Sequence, residues 1–158
     1  MCIVAIDPGY ERMGVAVLSR GEGNKHVLLF SDCWKTSPQI PFPERLHELG
    51  TRLEALVKKH KPQALALEKL YFETNQKTAM HVAEVRGMLM YIATRSSLRL
   101  YEYTPLQIKV AVTGYGKANK RELTKMIPLL IDLQTTPKHD DEYDAIAVGL
   151  TCLASIRR

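Results

Sequence analysis

Cys2-Ile3-Val4-Ala5-Ile6-Asp7-Pro8-Gly9 opens the chain with an apolar run of strand length that ends abruptly on an acid and a turn. Met13–Ser19 follows as a second run and His26–Trp34 as a weaker third, with the turn formers Gly21-Glu22-Gly23-Asn24 between them. Strands joined by connections this short are antiparallel neighbours. A helix is predicted over Pro43–His60, where Leu46, Leu49, Leu53, Leu56 and Val57 recur at helical spacing; Lys58-Lys59-His60 suit the negative end of its dipole, and Pro62 stops it. Ala64–Leu67 is a short apolar strand ending at Glu68. Thr78–Arg95 predicts a longer helix, with Met80, Ala83, Gly87, Met88, Tyr91 and Ile92 along one face, and Leu98–Tyr103 alternates as a strand. Thr104-Pro105 starts a helix that Gly114-Tyr115-Gly116 ends. Asn119–Leu133 predicts a helix bent at Pro128, and a last helix runs from near Asp141 to about Ile156.

Three antiparallel strands, then two more reached through helices, predict an α/β fold. Its mixed sheet has five strands, three antiparallel and then two parallel, flanked by helices in one domain over residues 1–158. With 46% hydrophobic and 25% charged residues the composition is that of a folded globular chain and excludes disorder. No apolar run approaches the ~20 residues that cross a bilayer, so no membrane is expected. The N-terminal run lacks the basic flank of a secretory signal. Cys2, Cys33 and Cys152 are odd in number and widely spaced, which suits neither a disulfide framework nor a zinc site; a reducing cytoplasm is the expected location. A net charge of +5 favours a polyanionic partner.

Four acids stand where a buried sheet has little structural use for them. Asp7 and Glu68 each terminate an apolar strand, and ligands of α/β sheets bind beyond the carboxyl ends of strands. Asp141 and Asp144 are three apart at the start of the final helix, on one face. Taken singly, Asp7 suits a turn, Glu68 a strand-end surface, and Asp141 or Asp144 a helix N-terminus. Together they form an oxygen-only donor set of the kind Mg²⁺ and Mn²⁺ choose, and two such ions ~4 Å apart support in-line displacement at a phosphodiester.

The ordered set Ile6-Asp7-Pro8-Gly9 with Gly14, Ala66-Leu67-Glu68, Ala83-Glu84-Val85-Arg86-Gly87, Thr113-Gly114-Tyr115-Gly116 and Asp141-Glu142-Tyr143-Asp144-Ala145 resembles the RuvC family of Holliday junction resolvases, in the ribonuclease H-like superfamily, over essentially the whole chain. The resemblance implies a ribonuclease H-like fold and a homodimer that nicks two strands of like polarity symmetrically at a four-way DNA junction, leaving 5′-phosphate and 3′-hydroxyl ends. It places Asp7, Glu68, Asp141 and Asp144 on the four catalytic, metal-holding positions, with two Mg²⁺ ions per site and Mn²⁺ as substitute. It also suggests cooperation with the RuvA–RuvB branch-migration complex. His139 lies two residues before Asp141, as a solvated or phosphate-facing residue or an auxiliary ligand.

Lys109, Lys117, Lys120 and Arg121 cluster around Gly114 and Gly116, a pattern suited to backbone and cations approaching phosphates, though any one lysine also suits a solvated face. Lys109 and Lys120 match family positions near the scissile bond. Tyr71-Phe72 sits in a polar stretch after Glu68. Two such aromatics pack locally or stack on an unpaired base, the latter worth ~1–3 kcal/mol per base. The family carries a junction wedge here, and either of the two can fill it. A Met stripe on the Thr78–Arg95 helix suits core or interface; in the family this helix forms much of the dimer contact. Two other functions fit some of these features: a related nuclease acting on RNA or RNA–DNA hybrid, and a non-hydrolytic nucleic-acid-binding module. A nucleotide-binding domain of the actin/Hsp70 type needs two domains where this chain has length for one.

Overall fold

The computed structural model describes residues 1–21, 25–69, 76–133 and 136–156. Strands β1 (Cys2–Asp7), β2 (Arg12–Arg20) and β3 (His26–Lys35) form the expected antiparallel meander. Helix α1 (Phe42–His60) leads to β4 (Ala64–Glu68), and α2 (Gln76–Arg95) leads to β5 (Arg99–Tyr103). Then come α3 (Pro105–Thr113), α4 (Lys120–Leu130), β6 (Ile131–Asp132) and α5 (Asp140–Ser155). The sheet order is β5-β4-β1-β2-β3-β6, with β4 parallel to β1 and β5 parallel to β4.

The sheet therefore has six strands among the described residues, not five. The sixth pairs His26 and Val27 of β3 with Ile131 and Asp132, so the predicted Asn119–Leu133 helix ends at Leu130. Two residues carry no readable period, and pairing at the sheet edge alone makes this a strand.

Alternation along the strands divides the core between two faces. Ile3, Ala5, Ala16 and Leu18 pack with α3, α4 and α5 on one side. Val4, Ile6, Val15, Val17, Leu65 and Leu67 pack with Leu49, Leu53, Val85 and Leu89 of α1 and α2 on the other. With helices on both faces the central strands read as unbroken apolar runs rather than alternating ones. Helix α5 is buried from Ala145 to Leu153, and Gly149 lets it lie on the sheet: a Cβ there would stand 2.4 Å from Leu18 Cδ1. Local chemistry sets the short helices. Thr104 and Gln107 form a capping box ahead of Pro105, and Gly114 closes α3 at φ 75°. Asn119 and Glu122 cap α4 in the same way. No described helix is long and apolar enough to cross a membrane.

Candidate active site

Register brings the acids to one edge. Asp7 is the last residue of β1 and stands opposite Gly14 of β2, which in turn stands opposite Cys33 of β3. Glu68 ends the neighbouring parallel strand β4, one residue beyond its last pair with β1. Gly14 admits the final helix: a Cβ there would sit 1.9 Å from the backbone oxygen of Asp141, so α5 reaches β2 backbone to backbone. Asp141 and Asp144 thus arrive in the first turns of α5 beside the two strand ends.

Electrostatics record the convergence. Burial, then the charges of Glu68, Asp144 and Asp141, push the Asp7 carboxyl up to about 8, against the pull of Lys120. Burial and the Asp144 charge raise Glu68 as well, while Lys109 and Lys120 oppose them. Asp141 goes the other way: burial alone would raise it, but the hydrogen bonds and charge of Arg12 hold it below the usual carboxylate range. Arg12 Nε donates to Asp141 Oδ2 at 3.1 Å, Nη2 binds the same oxygen, and Cys33 Sγ lies 3.5 Å from it. Lys120 Nζ donates to Asp144 Oδ2 at 2.8 Å and stands 3.6 Å from Asp140.

Two of the four carboxylates, Asp141 and Asp144, are thus paired with the chain's own cations. Among the described residues no three acid, histidine or cysteine side chains are gathered closely enough, as they stand, to hold one metal ion. The donor chemistry nonetheless fits a hard divalent cation. The set is all carboxylate oxygen, and one member, the half-buried Asp7, faces the charges of three others without a dedicated cation of its own. A cleft of about 260 Å³ is lined by Glu68, Asp144, Lys109, Lys120 and Asn119 with the apolar Ile108, Leu123 and Ala147; Asp7 and Asp141 do not line it. Lys117 and Arg121 are exposed near this cleft in sequence but do not line it. His139 immediately precedes α5, its Nε2 3.5 Å from Lys35 Nζ. Tyr71 and Phe72 lie outside the described residues.

Three contributors escaped the sequence. Arg12 is the first residue of β2, just outside the predicted Met13–Ser19 run; the available signal was its position two residues before Gly14, on the strand that must start beside Asp7. Glu142, which suited a simple helix-start acid, is buried. It accepts from Ser31 Oγ at 2.6 Å and from the backbone N–H groups of Lys138 and His139 at 2.9 and 3.0 Å, so it anchors the start of α5 to β3. Arg86 bonds the carbonyl of Glu68, and nothing local in the sequence announces it.

Comparison with known proteins identifies the family to which this fold belongs. A family model described as crossover junction endodeoxyribonuclease RuvC matches residues 3–152. The RuvC of Alkaliphilus metalliredigens is 42% identical over 150 residues, covering 95% of this chain and 91% of its own. That of Petrotoga mobilis is 41% identical over 158 residues, covering 100% and 96%. The structure of Thermus thermophilus RuvC in complex with a Holliday junction substrate superposes with TM-score 0.89 at 31% identity, covering 96% of this chain and 92% of that one. Yeast mitochondrial Holliday junction resolvase Ydc2 shares the fold at TM-score 0.70 and 15% identity. A six-stranded mixed sheet with acids converging at one edge, matched along nearly its whole length by these relatives, places the chain in the RuvC family of crossover junction endodeoxyribonucleases.

Proposed function

We propose that Asp7, Glu68, Asp141 and Asp144 form one metal-dependent nuclease site per subunit of a homodimer. Each site cuts one of two like strands of a four-way DNA junction and leaves 5′-phosphate and 3′-hydroxyl ends. The endonuclease activity and the junction substrate come with the family. The observation that carries the site assignment is the half-buried Asp7 carboxyl, flanked by acids from β4 and α5 that meet across more than 130 residues of chain. Mg²⁺, two ions per site with Mn²⁺ as substitute, would supply charge for the phosphate and a water of lowered pKa.

The chain's own residues supply the rest. The four carboxylates would hold the cations beside the scissile phosphate. Lys109 and Lys120, on the rim of the cleft, offer positive charge to the scissile phosphate, and release of Lys120 from Asp144 frees both groups for their partners. Lys117 and Arg121 extend the phosphate-binding surface, and Tyr71 or Phe72 stacks at the junction's exchange point. The exposed stripe of Met80, Gly87 and Tyr91 on α2 supports the homodimer: a Cβ added at Gly87 would meet nothing within 4 Å, so that face is open to a second copy. Two equivalent sites related by a two-fold axis then match a substrate of the same symmetry, which makes paired nicks a geometric consequence. RuvA–RuvB is the proposed functional partner on family grounds.

Incubating a synthetic four-way junction with and without Mg²⁺, and mapping the incisions at nucleotide resolution, tests the assignment. Wild-type protein should give symmetric paired nicks only with the ion. Asp7→Asn, which keeps the shape and removes a ligand charge, should bind the junction and leave it uncut. Full Mg²⁺-dependent cleavage by that variant defeats the assignment.

A further inference from the structure

Glu68 presents its carboxylate from the last residue of β4, past the end of the ladder with β1 but still paired with Tyr103 of β5. Its last neighbour in the ladder with β1 is Leu67, so that ladder no longer constrains the peptide that follows Glu68. That peptide is nevertheless held at both ends. Its carbonyl accepts from Arg86 Nη1 of α2 at 3.0 Å, and its N–H, on Lys69, donates to the carbonyl of Tyr103 of β5 at 2.8 Å. Arg86 is itself tied down: Nη2 binds the carboxylate of Glu102 on β5, and the arginine side chain is only 15% exposed. A planar guanidinium bonded through both arms cannot swing, so the peptide plane it grips is fixed in direction.

We infer that Arg86 is a positioning residue for Glu68, a fork from α2 that holds the free side of the last β4 peptide, opposite its pairing with Tyr103, and so steadies the Glu68 carboxylate. Arg86 bonds the Glu68 carbonyl and the Glu102 side chain, and so acts on Glu68 through the backbone. The inference rests on Glu68 belonging to the nuclease site. Misplacing a catalytic group by about 1 Å costs up to about a hundredfold in rate, with little change in substrate affinity. The same geometry explains why lysine is a poor replacement: one ammonium reaches the carbonyl or Glu102 but lacks the fork that joins them.

The test compares wild type with Arg86→Gln, Arg86→Lys, Glu68→Gln and the double variant Arg86→Gln/Glu102→Gln, which leaves no unpaired charge behind. Three quantities are read per folded molecule: single-turnover cleavage rate, junction Kd without divalent ions, and the Mn²⁺ concentration for half-saturation without DNA. Arg86→Gln and the double variant should cleave about ten- to a hundredfold more slowly, hold junction Kd within about twofold, and need more Mn²⁺; Arg86→Lys should recover part of the rate. Glu68→Gln should be inactive. If Glu68→Gln is inactive but the double variant cleaves at the wild-type rate, the role assigned to Arg86 fails alone. If Arg86→Gln loses junction affinity in step with rate, Arg86 acts on DNA and the inference fails. Wild-type activity in Glu68→Gln overturns both the inference and the site it rests on.

Discussion

Four carboxylates within reach of one another are a standing cost to the fold, and Asp7 bears most of it. Its carboxyl, ordinarily ionising near 3.8, is pushed up to about 8 by burial and by its three acidic neighbours. Below pH 4 it is protonated in both folded and unfolded chains and contributes nothing. Between 4 and 8 the unfolded chain ionises it while the folded chain resists, so the metal-free fold loses stability as pH rises through that window. Asp7→Asn should therefore stabilise the metal-free protein at pH 7, by up to about 4 kcal/mol. Its melting temperature should rise accordingly, by about 5–15 °C, and the difference should vanish below pH 4. Calorimetry across pH reads this directly. Added Mg²⁺ should raise the wild-type melting temperature and leave that of Asp7→Asn nearly unmoved, because only a site with its full charge gains from the ion. Asp7 was legible in the sequence because an acid ending an apolar strand is a local pattern. The cations that balance its neighbours were not: Arg12 reaches Asp141 across 129 residues, and no local period marks such a pair.

At the scale of elements, the site depends on how closely α5 approaches β2 and β3. Gly14 is the contact point, and its lack of a side chain is a steric requirement, since even one carbon would overlap the Asp141 carbonyl. Gly14→Ala should force the helix start outward, cost about 1–3 kcal/mol as overpacking does, and suppress cleavage; denaturant unfolding and the junction assay measure the two effects. Glu142 secures the same helix from the other side. Glu142→Ala leaves the N–H groups of Lys138 and His139 without their acceptor and Ser31 without its partner, so a loss of about 1–2 kcal/mol is expected. Ser31→Ala, which removes the tie to β3 but keeps the cap, should lose less. The helices themselves were well forecast, since α1 and α3 follow from leucine spacing, a capping threonine and a closing glycine. Helix α4 stopped short because β6 captured its predicted tail.

For the whole molecule, function turns on charge and symmetry. The cleft sets Lys109 and Lys120 beside Glu68 and Asp144, so positive charge suited to a phosphate stands next to the acids. Helix α2 turns Leu89 and Val85 into the core and leaves Tyr91 and Met80 outside, 64% and 67% exposed, an arrangement that suits a second copy of the chain. Tyr91→Glu should shift the protein to monomer in sedimentation experiments at little cost in monomer stability. It should convert paired incisions into single, uncoordinated nicks or none. A variant that remains dimeric would move the subunit contact elsewhere.

Strand-end acids, helical periods and caps are properties of neighbours along the chain, and from them the α/β class, the meander and the four candidate carboxylates could all be read. Six strands rather than five among the described residues, the Gly14 contact that seats α5, the pairing of Asp141 with Arg12 and of Asp144 with Lys120, and the grip of Arg86 on Glu68 could not. Each pairs groups distant in the chain, and which partners meet is settled by packing two cores against the two faces of one sheet.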